Sequence, residues 1–198
     1  ITQGPVAQEW GYLPPKVFIN LEPVYEDINK DAGASDIRNA SYWSVFATPV
    51  AGITYGANGI WPWIRPGEDI ENHGKPHILR PWDESLKQPG SVQVGYLSEF
   101  MRKYPWWTMK PAQDLLVENG EAGAFISLVR SDDQSLLMAY VPKQATVRLY
   151  NPGQGNWQGQ WFDPVKNTYA TDMLTVKNGV LEAASPGDGD RVLVLRRK

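Results

Sequence analysis

The chain has 198 residues, of which 42% are hydrophobic and 21% charged, and its formal net charge is −3. This composition is typical of a folded globular protein and argues against disorder. Basic residues form no stripe for nucleic acid, no apolar run approaches a membrane span, and the absence of cysteine excludes disulfides and thiolate metal sites. The two histidines, His73 and His77, lack the spacing of a metal site, so no metal is expected.

The first predicted element is a short buried strand at 16–21, in which Val17, Phe18 and Ile19 form an apolar run bounded by prolines. Polar side chains follow it closely, namely Asn20, Glu22, Tyr25 and Glu26. In a parallel α/β protein this end of a strand is where ligands bind. The residues alone leave open whether Glu22 is a functional carboxylate or a solvated loop residue.

A helix is predicted over 36–47 with Ser35 as its N-cap, followed by a small-residue strand at 50–55. Tyr55, Asn58 and Trp61 then place polar and aromatic groups at the same end as the first strand does. The proline-rich segment 62–89, which contains Trp63, is predicted to be an ordered rim of an active site. A helix over 91–104 completes this α/β pattern.

From residue 122 the chain changes to short runs separated by turn signals. Seven strands are predicted, at 124–130, 136–141, 146–150, 159–162, 170–176, 180–183 and 192–196. Their spacing is typical of a small antiparallel β-sandwich. The fold class is therefore α/β plus all-β, with domains at 1–118 and 119–198.

Five motifs follow one another along the chain, namely Lys16 to Glu26, Asp36 to Trp43, Thr54 to Trp61, Pro81-Trp82 and Trp161 to Pro164. In this order they resemble the motifs of the apiosidase-like glycoside hydrolases. The resemblance implies a (β/α)8 (TIM) barrel followed by a β-domain that is named for collagen binding. The strands at 17–21 and 50–55 would be the seventh and eighth barrel strands. The N-terminal barrel segment is then expected on the same precursor or on another chain, and the 198 residues are not expected to fold stably alone.

The same resemblance implies a secreted glycosidase that cleaves a plant or microbial polysaccharide or glycoside with two carboxylates and without a cofactor. Glu22 would be the catalytic nucleophile, and its acid/base partner would lie on the missing barrel segment. The residues expected to bind the carbohydrate are Asn20, Tyr25, Glu26, Tyr55, Asn58, Trp61 and Trp63.

Alternatives remain at this point. The alternative to a hydrolase is a non-catalytic module that binds carbohydrate or extracellular matrix. Such a module has no reason to carry Glu22 in its Asn-x-Glu-Pro context. Asp36 and Arg38 either keep Glu22 ionised or form a surface pair that contributes little. The sugar, the linkage and the stereochemical outcome stay open.

Overall fold

The computed structural model describes residue 8 and residues 11–14, 16–30, 32–48, 50–69, 78–150, 152–153, 155–172 and 174–198. Its helices are α1 (Ala34–Ala47), α2 (Trp82–Ser85) and α3 (Pro89–Met101). The first strands are β1 (Ile19–Asn20), β2 (Tyr25–Glu26), β3 (Gly52–Ile53), β4 (Gly56–Ala57) and β5 (Met109–Pro111). The others are β6 (Ser127–Ser131), β7 (Leu136–Val141), β8 (Thr146–Tyr150), β9 (Trp157–Asp163), β10 (Thr168–Asp172), β11 (Thr175–Lys177), β12 (Val180–Ala184) and β13 (Arg191–Arg197).

Four sheets organise these strands. Two are short parallel pairs, β1 with β3 and β2 with β4. The largest is an antiparallel sheet of six strands in the order β10-β9-β13-β7-β6-β5, and the last has three strands in the order β11-β12-β8. The parallel pairing of β1 with β3 confirms that the first two predicted strands carry their polar residues at the same end. The described residues contain no closed barrel.

The centre of the six-stranded sheet is buried on both faces. On one face, Leu137, Ala139 and Leu193 join Leu149 and Leu181 of the three-stranded sheet in one apolar cluster. On the other face, Met138, Tyr140 and Val192 pack against the helices α1 and α3. All six residues of β7 are buried, and this explains why its sequence is a continuous apolar run rather than an alternating one.

Helices α1 and α3 contribute large side chains to this second cluster. Tyr42 of α1 stacks on Tyr140 at a ring separation of 4.7 Å, and Phe100 of α3 stacks on Phe162 at 4.6 Å. The Trp43 indole N–H also donates to the Phe125 carbonyl at 2.9 Å. Residues before and after 118 therefore share a core, and the boundary between 118 and 119 stays a prediction.

Several predicted details are wrong. Gly33, not Ser35, is the N-cap of α1, and its N–H donates to the Asp36 carboxylate at 3.1 Å. The run at 170–176 is two strands, because the chain leaves the edge of the six-stranded sheet at β10 and enters the three-stranded sheet at β11. The apolar run before Asn20 is not buried, since Val17 and Ile19 are 83% and 48% exposed and β1 has β3 as its single partner strand among the described residues.

Candidate active site

The candidate site lies where the chain leaves the two parallel strands β1 and β3. Asn20 is in register with Ile53, and after each strand the two segments pair a second time, with Tyr25 opposite Gly56. Gly56 is required there because the Tyr25 ring occupies the space that a Cβ would take. The double pairing brings together residues 19–26 and 52–58, which carry most of the predicted site residues.

Glu22 lies in the turn that follows β1, and its side chain is exposed. The Asn20 amide holds this turn: its Oδ1 accepts the Glu22 backbone N–H at 3.3 Å, and its Nδ2 donates to Ser44 Oγ of α1 at 2.8 Å. Thr54 Oγ1 donates to the Leu21 carbonyl from the neighbouring segment. The backbone at Glu22 is therefore fixed from two sides, while its carboxylate is accessible.

Glu26 has the opposite environment, since it is only 2% exposed. Its Oε2 accepts the Tyr55 hydroxyl at 2.8 Å and the Gly90 backbone N–H, in the first turn of α3, at 3.1 Å. Burial raises the pKa of Glu26 above its ordinary value. Burial also raises the pKa of Tyr55, and the hydrogen bond that Tyr55 donates to the Glu26 carboxylate raises it further, so the Tyr55 hydroxyl keeps its proton. Glu26 thus links β2 to Tyr55, the residue before β4, and to the first turn of α3, and neither the Glu26 nor the Tyr55 side chain is as open to the surface as that of Glu22.

Asn58 also serves this framework. It is 2% exposed, its backbone N–H donates to the Glu26 carbonyl at 2.7 Å, and its Nδ2 donates to the Ile78 carbonyl at 3.1 Å. The Asn58 amide thus attaches the segment that begins at residue 78 to the strand ends.

Besides Glu22, two tryptophans of the predicted set are exposed. Trp61 is 49% exposed and Trp63 is 54% exposed. The Trp63 ring stacks on Trp82 with a centroid separation of 4.8 Å and an interplanar angle of 7°. The structure therefore presents one carboxylate and two indoles to solvent, whereas Glu26 and Asn58 are covered.

A second group of residues was not foreseen. Asp27 is 5% exposed, and its Oδ2 accepts from Arg80 Nε and from Gln88 Nε2, both at 2.7 Å. These residues line a pocket of about 350 Å³ beside Glu26. No sequence spacing predicts the arrangement, because the partners of Asp27 are more than fifty positions away, in the last part of the proline-rich segment.

Arg38 does not act on Glu22. It is buried in α1 and pairs with Asp190, with Nη2 to Oδ1 at 2.8 Å. A stabilising effect of this guanidinium on Glu22, one of the two expectations for Arg38, is therefore wrong, and so is a surface pair.

Metal and membrane features were searched in the same part of the chain. Among the residues with described positions, no group of three His, Asp or Glu side chains is arranged to hold a metal ion. His73 and His77 lie outside those residues. No helix in the described ranges is long and apolar enough to cross a bilayer.

A comparison with protein families decides the affiliation of the chain. Residues 3–108, more than half of the sequence, match the model of the apiosidase-like catalytic domain. The chain belongs to the apiosidase-like family. The matched residues include β1 to β4, α1 to α3 and every predicted site residue of this family member. The family match does not extend to a collagen-binding domain. A search of curated proteins found no match.

Solved structures agree with this affiliation. A glycoside hydrolase is 26% identical with a TM-score of 0.83, and a glycoside hydrolase family 5 protein from Bacteroides vulgatus ATCC 8482 is 25% identical with the same TM-score. The alignments cover 98% and 97% of the apiosidase-like chain but only 45% and 44% of the two structures. An α-amylase from Anoxybacillus is 13% identical with a TM-score of 0.53, and the alignment covers 94% of this chain and 40% of the amylase. At this identity the likeness concerns the fold alone. Glycoside hydrolase function is thus supported at the level of the family, and the chain spans less than half the length of these structures.

Proposed function

We propose that this chain is the C-terminal part of a glycosidase in which Glu22 is the catalytic nucleophile. The observation that carries the proposal is the contrast between the two carboxylates of the first segment. Glu22 is exposed on a turn that Asn20 holds rigidly at the carboxyl end of a parallel strand, whereas Glu26 is buried and hydrogen-bonded. The carboxyl ends of parallel strands are where ligands bind in such folds.

The local topology supports placing β1 and β3 as the last two strands of a (β/α)8 barrel. β1 is followed by α1 and then by the parallel strand β3, and β3 is followed by α3. This repeated strand-helix order, together with the family match, is what a TIM barrel requires. The exposed Val17 and Leu21, which flank β1 in the sequence, would be covered by the missing strands.

In the proposed reaction, the Glu22 carboxylate attacks the anomeric carbon while a second carboxylic acid protonates the leaving oxygen. The bond to the leaving group breaks as the bond to Glu22 forms, and water then hydrolyses the glycosyl-enzyme ester. A separation of about 5 Å between the carboxyl groups is required for this retaining course. Glu26 is unsuited to the second role because it lies on the same segment and is covered, so we assign that role to the barrel segment outside this chain.

The substrate that the family name suggests first is an apioside. The indoles of Trp61 and Trp63 would stack on sugar rings, because aromatic faces match the C–H faces of sugars. Tyr25, with its ring on Gly56, and the amide of Asn20 would line the approach to Glu22, and Tyr55 and Asn58 would act through the framework that they hold. The strands from β6 to β13 would form a sandwich that supports the catalytic part, and the whole protein would act outside the cell.

The test compares Glu22→Gln and Glu22→Ala with the wild type in the full-length protein, using 4-nitrophenyl β-D-apiofuranoside. We expect kcat to fall by about 10³-fold, within the range of losses seen for essential acid–base groups. Azide should restore turnover of Glu22→Ala and yield a glycosyl azide, because a small anion can take the place of a deleted nucleophile. Glu121→Gln, an exposed carboxylate after the candidate site, is the matched control and should leave kcat unchanged.

An unchanged kcat in Glu22→Gln would overturn the assignment. If the full-length protein binds the glycoside but never cleaves it, a non-catalytic carbohydrate-binding role replaces the proposed hydrolase.

A further inference from the structure

The stacked pair of Trp63 and Trp82 has an open face. The two rings are nearly parallel, so Trp82 covers one face of the Trp63 indole. Trp63 nevertheless remains 54% exposed, which places the opposite face of its ring in solvent. Large aromatic rings usually bury their apolar area, and an exposed ring that is held flat is a surface prepared for a flat apolar partner.

The backbone at Trp63 is held in an unfavourable conformation to present this ring. Its φ is +57°, in the left-handed region that bulky residues rarely adopt. The turn is fixed by the Trp63 N–H, which donates to the Ile60 carbonyl at 3.1 Å, and by the Ile64 N–H, which donates to the Gly59 carbonyl at 3.0 Å. Strained positions of this kind cluster at ligand-binding sites, where the surroundings keep them in place.

Trp82 is held just as firmly. Its backbone N–H donates to the Ile64 carbonyl at 2.9 Å, so the two rings belong to segments that are hydrogen-bonded to each other. On either side of Trp82 in the sequence, Arg80 and Gln88 donate to the same carboxylate oxygen of Asp27. Asp27 itself has a φ of +63° and is almost completely buried. One carboxylate therefore anchors both ends of the segment that carries Trp82.

We propose that Trp63 and Trp82 form an aromatic platform that stacks on the face of a neutral sugar ring, and that Asp27 is its positioning residue. This inference rests on the proposed function, which already assigns sugar stacking to Trp63, and it adds Trp82 and Asp27 as the residues that support and position that ring. The exposed carboxylates of Asp83 and Glu84 beside Trp82 disfavour an anionic ligand, whereas hydroxyl groups can donate to them. Asp27 touches no ligand and acts through Arg80 and Gln88 on the position of Trp82.

The first experiment measures binding of methyl β-D-apiofuranoside by the full-length protein, using fluorescence titration and saturation-transfer NMR. Trp63→Ala should weaken binding by about 10-fold, as expected for the loss of one stacked ring. Trp107→Ala is the matched control, because Trp107 is 67% exposed but packs edge-on against Trp106 in another segment. Its affinity should equal that of the wild type. Wild-type binding that Trp63→Ala leaves unchanged, or no binding by the wild type, would overturn the platform.

The second experiment tests Asp27 with a readout that does not depend on a ligand. Closely stacked indoles couple their transitions, so Trp63→Ala and Trp82→Ala should remove the same far-ultraviolet exciton band in circular dichroism. Asp27→Asn should diminish that band and weaken sugar binding. Trp82→Ala should weaken binding as well, whereas Trp82→Phe should bind more tightly than Trp82→Ala because the phenyl ring still supports Trp63 as a smaller stacked ring. An unchanged band in Asp27→Asn would overturn its positioning role. Failure of the hydrolase proposal is distinguishable, because Glu22→Gln would then retain wild-type turnover whatever the platform variants do.

Discussion

The buried ion pair between Arg38 and Asp190 allows the most quantitative prediction. The two side chains are 9% and 4% exposed. Asp190 accepts from Arg38 Nε at 3.0 Å, from Arg38 Nη2 at 2.8 Å and from the Tyr140 hydroxyl at 3.1 Å. Asp190→Ala leaves the guanidinium buried with Gln93 Oε1, which accepts from Arg38 Nη1, as its remaining side-chain partner. Removing one member of a buried pair lowers the free energy of unfolding by about 3–5 kcal/mol.

The assay is urea unfolding of the protein, followed by circular dichroism and by tryptophan fluorescence. With a denaturant slope of about 2 kcal/mol/M, the expected loss moves the midpoint down by about 1.5–2.5 M. Lys110→Ala is the control, because the Lys110–Asp132 pair is 59% and 53% exposed and contributes at most about 1 kcal/mol.

Two results would refute this reasoning. One is a midpoint in Asp190→Ala that falls no further than in Lys110→Ala. The other is a helical signal that unfolds separately from the sheets, since α1 and β13 share a core and should unfold together. Replacing both partners, with Arg38→Met and Asp190→Leu, should recover most of the stability, because it removes the uncompensated charge.

Three further predictions concern single residues. Burial raises the pKa of Glu26, so the unfolded chain loses this proton at a lower pH than the folded protein does. The resulting cost in stability is absent below the ordinary pKa, grows as the pH rises from the ordinary toward the raised pKa, and is constant above it. Glu26→Gln should therefore become more stable relative to the wild type as the pH rises above the ordinary value of 4.5, and a pH-independent difference would contradict this. Gly59→Ala should destabilise the rim in thermal unfolding because its Cβ would overlap the Arg80 carbonyl, whereas Gly95→Ala, in an open position of α3, should stabilise by about 0.5–1 kcal/mol. Leu137→Ala, at the centre of the six-stranded sheet, should lower the free energy of unfolding by about 2–5 kcal/mol in urea, and a smaller loss would mean that the sheet collapses around the cavity.

Local sequence patterns predicted the bounds of two consecutive strands correctly. The bounds of β7 and β8 agree with the sequence prediction because continuous or alternating apolar residues there end at clear turn signals. β5 was missed because Pro111 argues against a strand, although an edge strand tolerates proline. The packing of α1 and α3 on the sheet was not predicted, even though the unbroken apolar run of β7 indicated burial on two faces.

The candidate site was also predictable only in part, because some of its features are local in the sequence and others depend on the tertiary fold. Asn20, Glu22 and Tyr25 lie close together directly after an apolar run, so the sequence alone places them at the end of a strand. The bonds that give Glu26 and Asp27 their environments come from Tyr55, Arg80 and Gln88, which only the tertiary fold brings close. Periodicity therefore located the strand ends but could not distinguish the open carboxylate of Glu22 from the covered one of Glu26.

The position of β13 in the six-stranded sheet has a consequence for biosynthesis. β13 is the most C-terminal strand described, yet it lies between β9 and β7 near the middle of the sheet. A ribosome must therefore complete residues 191–197 before the apolar faces of α1 and α3, which end at Ala47 and Met101, can be fully covered. Such late, long-range closure slows folding and leaves nascent apolar surface exposed to aggregation. Production of this protein should therefore depend on chaperones that shield the emerging chain, and truncation within β13 should abolish soluble expression.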